Sequence, residues 1–546
     1  MVRGDDVRAA GDPCDVLVVG AGPTGLALAL QAHDHGARVT VLERRPDRWR
    51  PSRALIMHPR TLEVLRPLGV TEALLARGDT APRVDLHLGH HVVPVQLDRF
   101  DLDGTAFPHL VLVRQADVEA VLAGALADRG VTVQQDTSVS GVRTADGEVT
   151  ATFRRAGQEG RATARYLVGC DGTSSAIRRG VGIGWEGAPY RHDVLLADVE
   201  LDGDLAPEVS HVVAGRGGLV FLFRLGEQAT WRLLATTRAT DSTAPAGQPG
   251  PPVPLNDLQQ LVDAAGLPAT IMDLAWSARI HLEHRLASQY RRGNVLVAGD
   301  AAHTYSPAGG QGMNTGIQDA ANLGWKLAFA THAPRGCDEL LLQSYQDERR
   351  SVARAVLALT RTAFWAEAGT DPVASFVRGV MAPMSAPLVP FVLHRQRIVA
   401  EGVRVLSQLR WHYRRSALSL DVAPRCATGA RAGDRLPDQV VEVGHRPAVR
   451  LHELTACAGV HVLLGRDAAD PEVRTTGLLH VHRVTSWPGA GALVVRPDGH
   501  VGYRSDRCVP GDLSRWLRRI CIPILTSPPS RVRSVTTEHQ EPRTPG

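Results

Sequence analysis

Apolar residues at the start of the chain follow two different periods and predict a strand–helix–strand unit over residues 15–43. The segments DVLVVG and ARVTVLE are apolar runs typical of buried strands, and LALALQAHDHG between them has helical spacing. Two parallel strands joined by a helix form a sheet that helices cover. We therefore expect an α/β domain at the start of the chain.

After residue 43 the hydrophobic pattern alternates between the spacing of helices and that of strands. It predicts helices at 51–76, 115–129, 316–332 and 340–367, helix-rich sequence to about 412, and strands near 83–113, 131–170, 190–280 and 294–300. A Pro/Gly-rich insertion lies at 244–254, and a smaller α/β segment begins near 428. The pattern predicts an α/β domain that is interrupted by a sheet domain and followed by a C-terminal domain.

Composition and charge narrow the class of protein. The 546 residues are 44% apolar and 22% charged, with a net charge of +4 and no basic stripe, so we expect no nucleic-acid partner. No apolar run approaches about 18 residues, so we expect no membrane span and a cytoplasmic location. The 7 cysteines are dispersed and contain no C-x-x-C pair. This pattern favours reduced thiols and predicts no metal site.

The first chemical motif is GAGPTG at residues 20–25, between the first predicted strand and helix. Gly20 permits a tight turn, Gly22 lets the backbone approach a pyrophosphate, and Gly25 lets the helix pack close to the sheet. Glu43 stands at the end of the next strand, where a carboxylate accepts hydrogen bonds from a ribose. The pattern predicts a dinucleotide site for NAD or FAD.

Two further motifs follow predicted strands much later in the chain. Asp171 and Gly172 form a turn, and by themselves they indicate only a turn and a helix cap. Asp300 ends another strand within GDAAHTYSPAGGQGMNTG, and its carboxylate suits a polyol hydroxyl. Residues 307–314 then bring backbone N–H groups to the start of a helix, an arrangement that stabilises negative charge.

Together GAGPTG, CDGTSS and GDAAH…PAGGQGMNTGIQDAANLGWKLA resemble the group A flavoprotein monooxygenases, the aromatic hydroxylases. Within that family the chain is most similar to enzymes of aromatic polyketides and related antibiotics, including the rifampicin monooxygenase type. The resemblance covers roughly residues 13–400. It implies an α/β fold with a Rossmann-like FAD-binding domain of the para-hydroxybenzoate hydroxylase type, an inserted β-sheet substrate domain and a C-terminal thioredoxin-like domain.

The resemblance and the hydrophobic pattern together predict the domain boundaries. These are a disordered arm at 1–12, the FAD-binding domain at 13–80, 111–182 and 281–400, the substrate-binding sheet domain at 81–110 and 183–280, a linker at 401–427, the thioredoxin-like domain at 428–524 and a disordered tail at 525–546. The thioredoxin-like segment has no C-x-x-C, so we expect a packing or oligomerisation role rather than dithiol exchange.

The resemblance also implies which residues hold FAD. Glu43 should bind the adenosine ribose with Arg44 near the adenine, and Asp300 should bind the ribityl chain. Gly310, Gly312, Met313 and Asn314 should lie under the pyrimidine edge of the flavin. Residues 171–172 should lie between FAD and the approach of the nicotinamide cofactor. The full predicted cofactor-binding set is Gly20, Gly22, Pro23, Thr24, Gly25, Glu43, Arg44, Arg53, Arg114, Gln115, Asp171, Gly172, Gly299, Asp300, Pro307, Gly309, Gly310, Gly312, Met313 and Asn314.

The implied activity is a monooxygenase that uses NAD(P)H and O₂, forms a C4a-hydroperoxyflavin and hydroxylates a large aromatic molecule. NADH or NADPH would bind transiently, since the sequence has no second G-x-G-x-x-G, and the sequence does not choose between the two. No protein nucleophile is required, so no catalytic residue is assigned. The expected partners are the small-molecule aromatic substrate and O₂, in a monomer or homodimer.

Other functions stay open on the same scaffold. Baeyer–Villiger insertion or epoxidation would differ only in the substrate that receives the oxygen, and a non-catalytic antibiotic-binding flavoprotein is a remote alternative. A flavin-dependent halogenase is disfavoured. Such an enzyme needs a lysine near the flavin and a W-x-W-x-I-P segment. The only lysine, Lys326, lies within the helix after the glycine loop, and that segment is absent.

Overall fold

The structure is a computed structural model, and it describes most of the chain between residues 14 and 522. The described residues are 14–47, 55–206, 208–215, 218–224, 231–239, 246–334, 338–369, 371–423, 429–444, 447–471, 473 and 477–522. The predicted arm at 1–12, the predicted tail at 525–546 and the predicted flavin contact Arg53 lie outside them.

The strands are numbered in chain order. They are β1 (Cys14–Val19), β2 (Val39–Leu42), β3 (Ile56–Met57), β4 (Arg83–Leu88), β5 (His91–Gln96), β6 (Val111–Leu112), β7 (Val133–Gln134), β8 (Thr137–Ala145), β9 (Glu148–Arg155), β10 (Gln158–Gly169), β11 (Trp185–Gly203), β12 (Val209–Gly215), β13 (Gly218–Arg224), β14 (Trp231–Arg238), β15 (Ala269–Ala287), β16 (Arg291–Arg292), β17 (Val295–Val297), β18 (His303–Thr304), β19 (Leu420–Asp421), β20 (Val440–Val441), β21 (Val449–Arg450), β22 (Val460–Gly465), β23 (Leu479–Val484), β24 (Ala492–Val495) and β25 (Val501–Ser505).

The helices are numbered in the same way. They are α1 (Pro23–Asp34), α2 (Pro59–Leu65), α3 (Thr71–Leu75), α4 (Gln115–Asp128), α5 (Ala176–Gly180), α6 (Leu255–Ala264), α7 (Gln311–His332), α8 (Glu339–Ala368), α9 (Pro372–Phe376), α10 (Ala382–Ser385), α11 (Val389–His394), α12 (Gln396–Leu406), α13 (Leu451–Leu454) and α14 (Pro510–Arg519).

The first sheet has the strand order β16-β17-β10-β1-β2-β7, and the hairpin of β8 and β9 extends it beside β10. The central strands β17, β10, β1, β2 and β7 are parallel. Val16, Leu17 and Val18 of β1 are fully buried, which requires cover on both faces of the sheet. Helices α1 and α7 pack against each other beside this sheet. The first predicted strand–helix–strand unit is β1, α1 and β2.

The second sheet has the order β18-β15-β11-β14-β13-β12-β4-β5 and is built mainly from the long strands β11 and β15. Their antiparallel register shifts between Pro189 and Asp193, so β11 bulges there. The sequence pattern predicted strands over 190–280 and missed helix α6, whose Leu258 and Val262 pack into the core of this sheet. Short amphipathic helices between strands carry a weak signal, because only two or three positions face the core.

The C-terminal domain is a five-stranded sheet of order β19-β25-β24-β22-β23, with α14 packed on it. Strands β22 and β23 are parallel, and β24 and β25 run antiparallel to each other. Its core residues Val460 and Trp516 belong to one continuous hydrophobic cluster with the first sheet. The C-terminal domain therefore packs firmly on the first domain, and its thioredoxin-like fold stays a prediction.

The segment Pro372–Leu393, which spans α9 to α11, is apolar and mostly exposed. Its most apolar 18-residue stretch has a mean hydropathy of 1.5, and 11% of that stretch is buried. By length and composition alone it is the single candidate membrane span among the residues that the structure describes. Arg378 within it is buried and donates hydrogen bonds to the carbonyl oxygens of Gly215 and Ala366. These bonds fasten the segment to the second sheet and to α8.

Candidate functional site

The carboxyl ends of the parallel strands meet at one edge of the first sheet, and all three sequence motifs lie at that edge. Gly20 follows β1, Glu43 follows β2, Cys170 follows β10 and Ala298 follows β17. Open parallel sheets bind their ligands at this edge. It is the candidate functional site.

The turn between β1 and α1 brings backbone segments into close contact at two glycines. A Cβ on Gly20 would overlap the carbonyl oxygen of Cys170, and a Cβ on Gly25 would overlap the carbonyl oxygen of Gly20. Gly22 is the N-cap of α1 and Pro23 is its first residue, and within the described part of the chain no side chain caps the helix. The first N–H groups of α1 are thus left for a ligand, which is the arrangement a pyrophosphate requires.

Thr24 holds the first and third motifs together. A Cβ on Gly299 would lie 2.5 Å from the Thr24 hydroxyl oxygen, and a Cβ on Gly316 would overlap the same oxygen. These two glycines let α7 and the turn before it pack onto α1. Packing against Thr24 thus gives Gly299 and Gly316 a structural role, and the predicted contact of Gly299 with the cofactor stays a prediction.

Glu43 lies at the end of β2 with both carboxylate oxygens engaged. One oxygen accepts from the Ala21 N–H at 2.7 Å, and the other accepts from Nε of Arg45 at 2.8 Å. Burial raises the pKa of Glu43, but the hydrogen bond and charge of Arg45 outweigh it and lower the pKa below its ordinary value. Glu43 is therefore an anion at neutral pH and offers its remaining lone pairs to hydroxyl donors.

A shallow recess that is open to solvent lies beside Glu43. Its apolar walls include Leu26, Ala123 and Val133. Two buried polar atoms in its lining, Nη1 of Arg45 and Oε1 of Gln135, have no hydrogen-bond partner among the described residues. Apolar walls with unsatisfied polar atoms suit a flat heteroaromatic ring such as adenine.

The basic residue in this recess is Arg45, while the predicted Arg44 is exposed. The placement of Arg44 beside the adenine stays a prediction. Arg114 precedes α4 and makes a two-pronged contact with Asp117, at 2.7 and 3.1 Å. Gln115 is buried at the first position of α4 and donates to Glu119 at 2.9 Å.

Ser175 is the N-cap of helix α5, where its hydroxyl accepts from the Arg178 N–H at 2.9 Å, and Asp171 adds a second acceptor to this cap. One carboxylate oxygen accepts from the N–H groups of Ala176 and Ile177, at 2.7 and 3.2 Å. Its other oxygen is buried and has no hydrogen-bond partner among the described residues. Burial raises the pKa of Asp171. Gly172 follows with φ of +83°, a conformation that favours glycine. The motif thus forms the predicted cap and leaves one acceptor at the strand edge.

Asp300 lies in a short 3₁₀ turn over Gly299–Ala301 and is half-buried. Its carboxylate makes no hydrogen bond or ion pair with the residues that the structure describes. The preceding Gly299 donates its N–H to Oδ2 of Asp319 at 3.1 Å. The turn therefore presents an unengaged acid at the edge of the sheet.

Asp319 is a residue that the sequence interpretation missed. It is fully buried and accepts from Nε of Arg349 at 2.7 Å, and it contacts Nε2 of His303 at 2.6 Å. Burial raises the pKa of Asp319, but His303 and Arg349 lower it below its ordinary value. This buried anion fixes the turn that carries Asp300. The sequence signal for Asp319 is weak: it lies in GIQDA, 16 residues after His303 of GDAAH. No local pattern indicates that these two segments form hydrogen bonds in the folded chain.

The glycine loop ends at the first residue of α7. Pro307 is exposed and begins a 3₁₀ turn, and Gly309 and Gly310 have φ of +68° and +63°. No side chain of the described residues caps α7, and a Cβ on Gly312 would meet open space. The first N–H groups of α7 therefore have no side-chain acceptor.

Asn314 braces this loop from below. Its Oδ1 accepts from the His58 N–H at 2.9 Å and from the Thr61 hydroxyl at 2.7 Å, and its Nδ2 donates to the carbonyl oxygens of Ile56 and Gly310. His58 also contacts the Gly309 carbonyl through Nε2 at 2.9 Å. Asn314 is fully bonded within the protein, so its side chain supports the loop. The neighbouring Met313 is buried.

The residues at this edge fit FAD. The uncapped α1 suits a pyrophosphate, Glu43 and the recess suit an adenosine, the unengaged Asp300 suits a polyol, and the uncapped α7 suits an electron-rich ring edge. In the order of the strands that they follow, from β2 through β1 to β17, these groups match the order of adenosine, pyrophosphate and ribityl chain in FAD.

Known proteins share this architecture. A sequence profile described as an FAD binding domain matches residues 13–360. The chain is 33% identical over 450 residues to the 6-methylpretetramide 4-monooxygenase of Streptomyces rimosus, covering 80% of this chain and 77% of that protein. It is 32% identical over 508 residues to a flavin-dependent monooxygenase of Mycobacteroides abscessus, covering 90% of this chain and 97% of that protein.

Among solved structures, the chain is similar to the anhydrotetracycline hydroxylase OxyS of Streptomyces rimosus. The TM-score is 0.74 at 28% identity, and the match covers 94% of this chain and 100% of that chain. These matches confirm the predicted fold class for the FAD-binding domain and the inserted sheet. They do not test the individual residues predicted to contact the cofactor, which stay predictions.

Proposed function

Because the chain belongs to the FAD-binding family of flavin-dependent monooxygenases, we propose that it uses NAD(P)H and O₂ to hydroxylate a large aromatic substrate of the polyketide or antibiotic type. The predicted enzyme class and the FAD cofactor are confirmed by that membership. Two of the similar proteins are named for 6-methylpretetramide and anhydrotetracycline, which supports this substrate class.

Bound FAD would take a hydride from NAD(P)H and, with O₂, supply the oxygen atom that the substrate receives. In the proposal, the N-terminus of α1 holds the pyrophosphate, Glu43 holds the adenosine ribose, and Asp300 holds the ribityl chain. The N–H groups at the start of α7 face the pyrimidine edge of the flavin. A helix N-terminus stabilises nearby negative charge, so it favours the anionic form of the reduced ring.

The proposed substrate wall is the bulge of β11 next to the glycine loop. Tyr190 and His192 lie in this bulge, and β-bulges commonly re-aim side chains beside active sites. The Tyr190 ring packs against Phe364 and His284, with ring centroids 4.8 Å apart in both pairs. Ala308 of the glycine loop belongs to the same hydrophobic cluster. The wall is therefore aromatic and contacts the loop predicted to hold the flavin.

Unsatisfied polar atoms in this wall are the observation that carries the substrate proposal. The Tyr190 hydroxyl, Nε2 of His192 and Nδ1 of His284 are buried without a hydrogen-bond partner among the described residues. Burial raises the pKa of Tyr190 and lowers the pKa of both histidines, so all three are neutral near pH 7. Neutral donors and acceptors around an aromatic surface suit the phenol and ketone oxygens of a polycyclic aromatic.

The experiment is substrate-dependent NAD(P)H oxidation by the FAD-loaded protein with a tetracyclic phenol such as anhydrotetracycline. We expect a hydroxylated product and a KM that rises about tenfold in Tyr190→Phe, the loss typical of one hydrogen bond. Tyr503→Phe is the matched control, because Tyr503 in the C-terminal domain also has a buried hydroxyl without a partner. Equal KM values in the two variants would contradict the proposed wall, and NAD(P)H oxidation without product would contradict the proposed reaction.

A further inference from the structure

Four potential metal ligands meet on the C-terminal sheet, away from the proposed FAD site. Cys457 lies just before β22, His461 lies on β22, and His480 and His482 lie on β23. In the parallel register His461 pairs with His480, and His482 is two residues further along the same face of β23. We call these four residues the Cys457 cluster.

The ligand atoms of the Cys457 cluster are close together. Sγ of Cys457 lies 3.7 Å from Nε2 of His480, and Nδ1 of His461 lies 3.1 Å from Nε2 of His482. One ligand atom from each of Cys457, His461 and His480 lies within 4.8 Å of the others. The rings of His461 and His480 are stacked, with centroids 4.8 Å apart.

We propose that the Cys457 cluster is a binding site for a divalent transition metal ion, with Zn²⁺ as the ion its ligands fit best. This site is independent of the proposed monooxygenase reaction. Zinc takes thiolate and imidazole ligands in a tetrahedron with bonds of about 2.3 Å to sulfur and about 2.0 Å to nitrogen. Two ligands of such a tetrahedron are about 3.3 to 3.6 Å apart. The distances of 3.1 Å from His461 to His482 and 3.7 Å from His480 to Cys457 are within a few tenths of an ångström of these values. The spacing of up to 4.8 Å among Cys457, His461 and His480 would close around the ion.

The protonation of His461 suits a metal ligand. Its Nε2 contacts the Cys457 carbonyl oxygen at 3.1 Å, and a carbonyl only accepts, so Nε2 carries the proton and Nδ1 has the lone pair. Metal-bound histidines commonly donate their second N–H to a carbonyl in this way.

Binding requires changes in protons and contacts. Nε2 of His482 donates to Nδ1 of His461, and Nε2 of His480 donates to the Ala458 carbonyl oxygen, so both rings move this proton to their Nδ1 before Nε2 binds the ion. The Cys457 thiol releases its proton to solvent as the metal–sulfur bond forms. Nε2 of His480, 3.0 Å from the Ala458 carbonyl oxygen, exchanges that contact for the metal. Cys457 is exposed and His480 is half-buried, so an ion reaches the cluster from solvent.

The position of the cluster indicates a bracing role. The backbone N–H of Gly459, between Cys457 and His461, donates to Nε2 of the buried His35 just after α1. An ion at the cluster would join the loop before β22 to the edge strand β23. It would thereby stiffen the part of the C-terminal domain that contacts α1.

The test uses the full-length, FAD-loaded protein and Co²⁺ as a spectroscopic substitute for Zn²⁺. We expect one equivalent of Co²⁺ with intense tetrahedral bands at wavelengths longer than flavin absorption, and displacement of that ion by Zn²⁺. Cys457→Ser and His480→Gln should each weaken Zn²⁺ binding more than about tenfold, the loss typical of a disturbed metal environment. FAD content should not change in either variant.

His412→Gln is the control, because His412 is an exposed histidine outside the cluster. It should bind Zn²⁺ like the unmodified protein. Zn²⁺ affinity that is equal in Cys457→Ser, His480→Gln and the control, or a Co²⁺ spectrum typical of octahedral water ligands, would overturn the proposal. Because FAD content and turnover are measured separately, failure of the metal site is distinguishable from failure of the proposed function.

Discussion

Asp300 is the residue whose substitution isolates one contact of the proposed FAD site. Its carboxylate has no partner among the described residues, so its removal breaks no interaction within that part of the protein. We expect Asp300→Ala to weaken FAD binding by about 1.5 to 3 kcal/mol, the range for a hydrogen bond to a charged group, at unchanged Tm. Equilibrium dialysis of FAD measures the affinity. Glu159→Ala is the control, since Glu159 is an exposed carboxylate on β10.

Glu43 gives a contrasting prediction, because it supports the turn as well as the proposed ribose contact. Glu43→Ala removes the acceptor of the Ala21 N–H and of Arg45. We expect weaker FAD retention and a lower Tm, while the absorption spectrum of the flavin that stays bound is unchanged. FAD affinity equal to that of the unmodified protein in both Asp300→Ala and Glu43→Ala would contradict the assignment of the two acids.

At the residue scale the sequence predicted the positions of the motifs better than the contacts that individual side chains make. The turn glycines Gly20 and Gly25 were predictable, because a strand, a tight turn and a helix in close contact leave no room for a side chain. The presence of Arg45 in the recess beside Glu43 was not predictable, since adjacent residues differ only in the direction their side chains take at the end of a strand. The contact of Thr24 with Gly299 joins residues that no local pattern relates.

The N-terminus of α7 is the element on which the proposed flavin contact depends, and Gly310 tests it. Gly310 has φ of +63°, and a Cβ there would lie 3.1 Å from Cβ of Ile56. Gly310→Ala should cost about 1 to 2 kcal/mol of backbone strain and weaken FAD binding by displacing the loop. Isothermal titration of FAD and thermal unfolding measure the two effects.

Gly124→Ala is the matched control for that substitution. Gly124 lies inside α4 with ordinary helical geometry, and a Cβ there would meet no atom within 4 Å. Alanine at this position should stabilise the protein by about 0.5 to 1 kcal/mol and leave FAD affinity unchanged. An FAD affinity equal in Gly310→Ala and Gly124→Ala would contradict the role of the loop.

Long elements were predictable and irregular ones were not. The pattern at 115–129 predicted α4, and the pattern at 316–332 predicted α7, although α7 begins at Gln311 within the glycine-rich sequence. The bulge of β11 at residues 190–192 has no sequence signal, because it depends on the register of β15 about ninety residues away in the chain. The proposed substrate wall could therefore not be predicted from the sequence.

At the scale of the whole molecule, buried charges hold the C-terminal domain on the FAD-binding domain. Glu63 of α2 accepts from Nη1 of Arg60 and from Nη1 of Arg435, both at 2.9 Å. Burial alone would raise the pKa of Glu63, but the charge of Arg435, followed by those of His452 and Arg60, lowers it to about 2. The ion pair with Arg435 crosses between the domains.

The lowered pKa of Glu63 predicts that its contact with Arg435, between the two domains, is sensitive to acid. The pKa of Glu63 is lower in the folded state than its unfolded value near 4.5, so Glu63 stabilises the folded protein fully at a pH above 4.5. This contribution to the free energy of unfolding is lost as the pH falls toward 2. The shift corresponds to about 3 kcal/mol. Glu63→Gln should remove this part of the pH dependence and destabilise the protein at pH 7, because Arg60 and Arg435 stay buried without their anion. Urea unfolding between pH 7 and pH 3 measures it.

Glu453→Gln is the control for that experiment. Glu453 accepts from Arg66 at 3.3 Å across the same pair of domains, but its side chain is 45% exposed. Such a pair contributes about 0.2 to 1 kcal/mol, so the pH dependence should hardly change. Identical pH profiles for Glu63→Gln and the unmodified protein would contradict the account of the domain contact.

The domain organisation was predictable from three motifs that occur in a fixed order along the chain, whereas the contacts between the domains were not. A second buried network contains Glu348 of α8, which accepts from both Nη groups of Arg496 at 2.7 Å, and Lys326 of α7, which donates to Glu348 at 2.8 Å. The sequence placed the only lysine in the helix after the glycine loop, but its link through Glu348 to Arg496 of the C-terminal domain follows from packing alone. The absence of C-x-x-C likewise gave no sign of the Cys457 cluster, whose histidines come from two neighbouring strands.

The central claim is that this chain transfers one atom of O₂ to an aromatic molecule. The most direct test is turnover of the FAD-loaded protein with NAD(P)H and a tetracyclic phenol under isotopically heavy O₂, followed by mass spectrometry of the product. The account predicts one heavy oxygen atom per product molecule, on a ring carbon, with equal consumption of NAD(P)H. A product whose new oxygen comes from water, or consumption of NAD(P)H that yields only hydrogen peroxide, would contradict it.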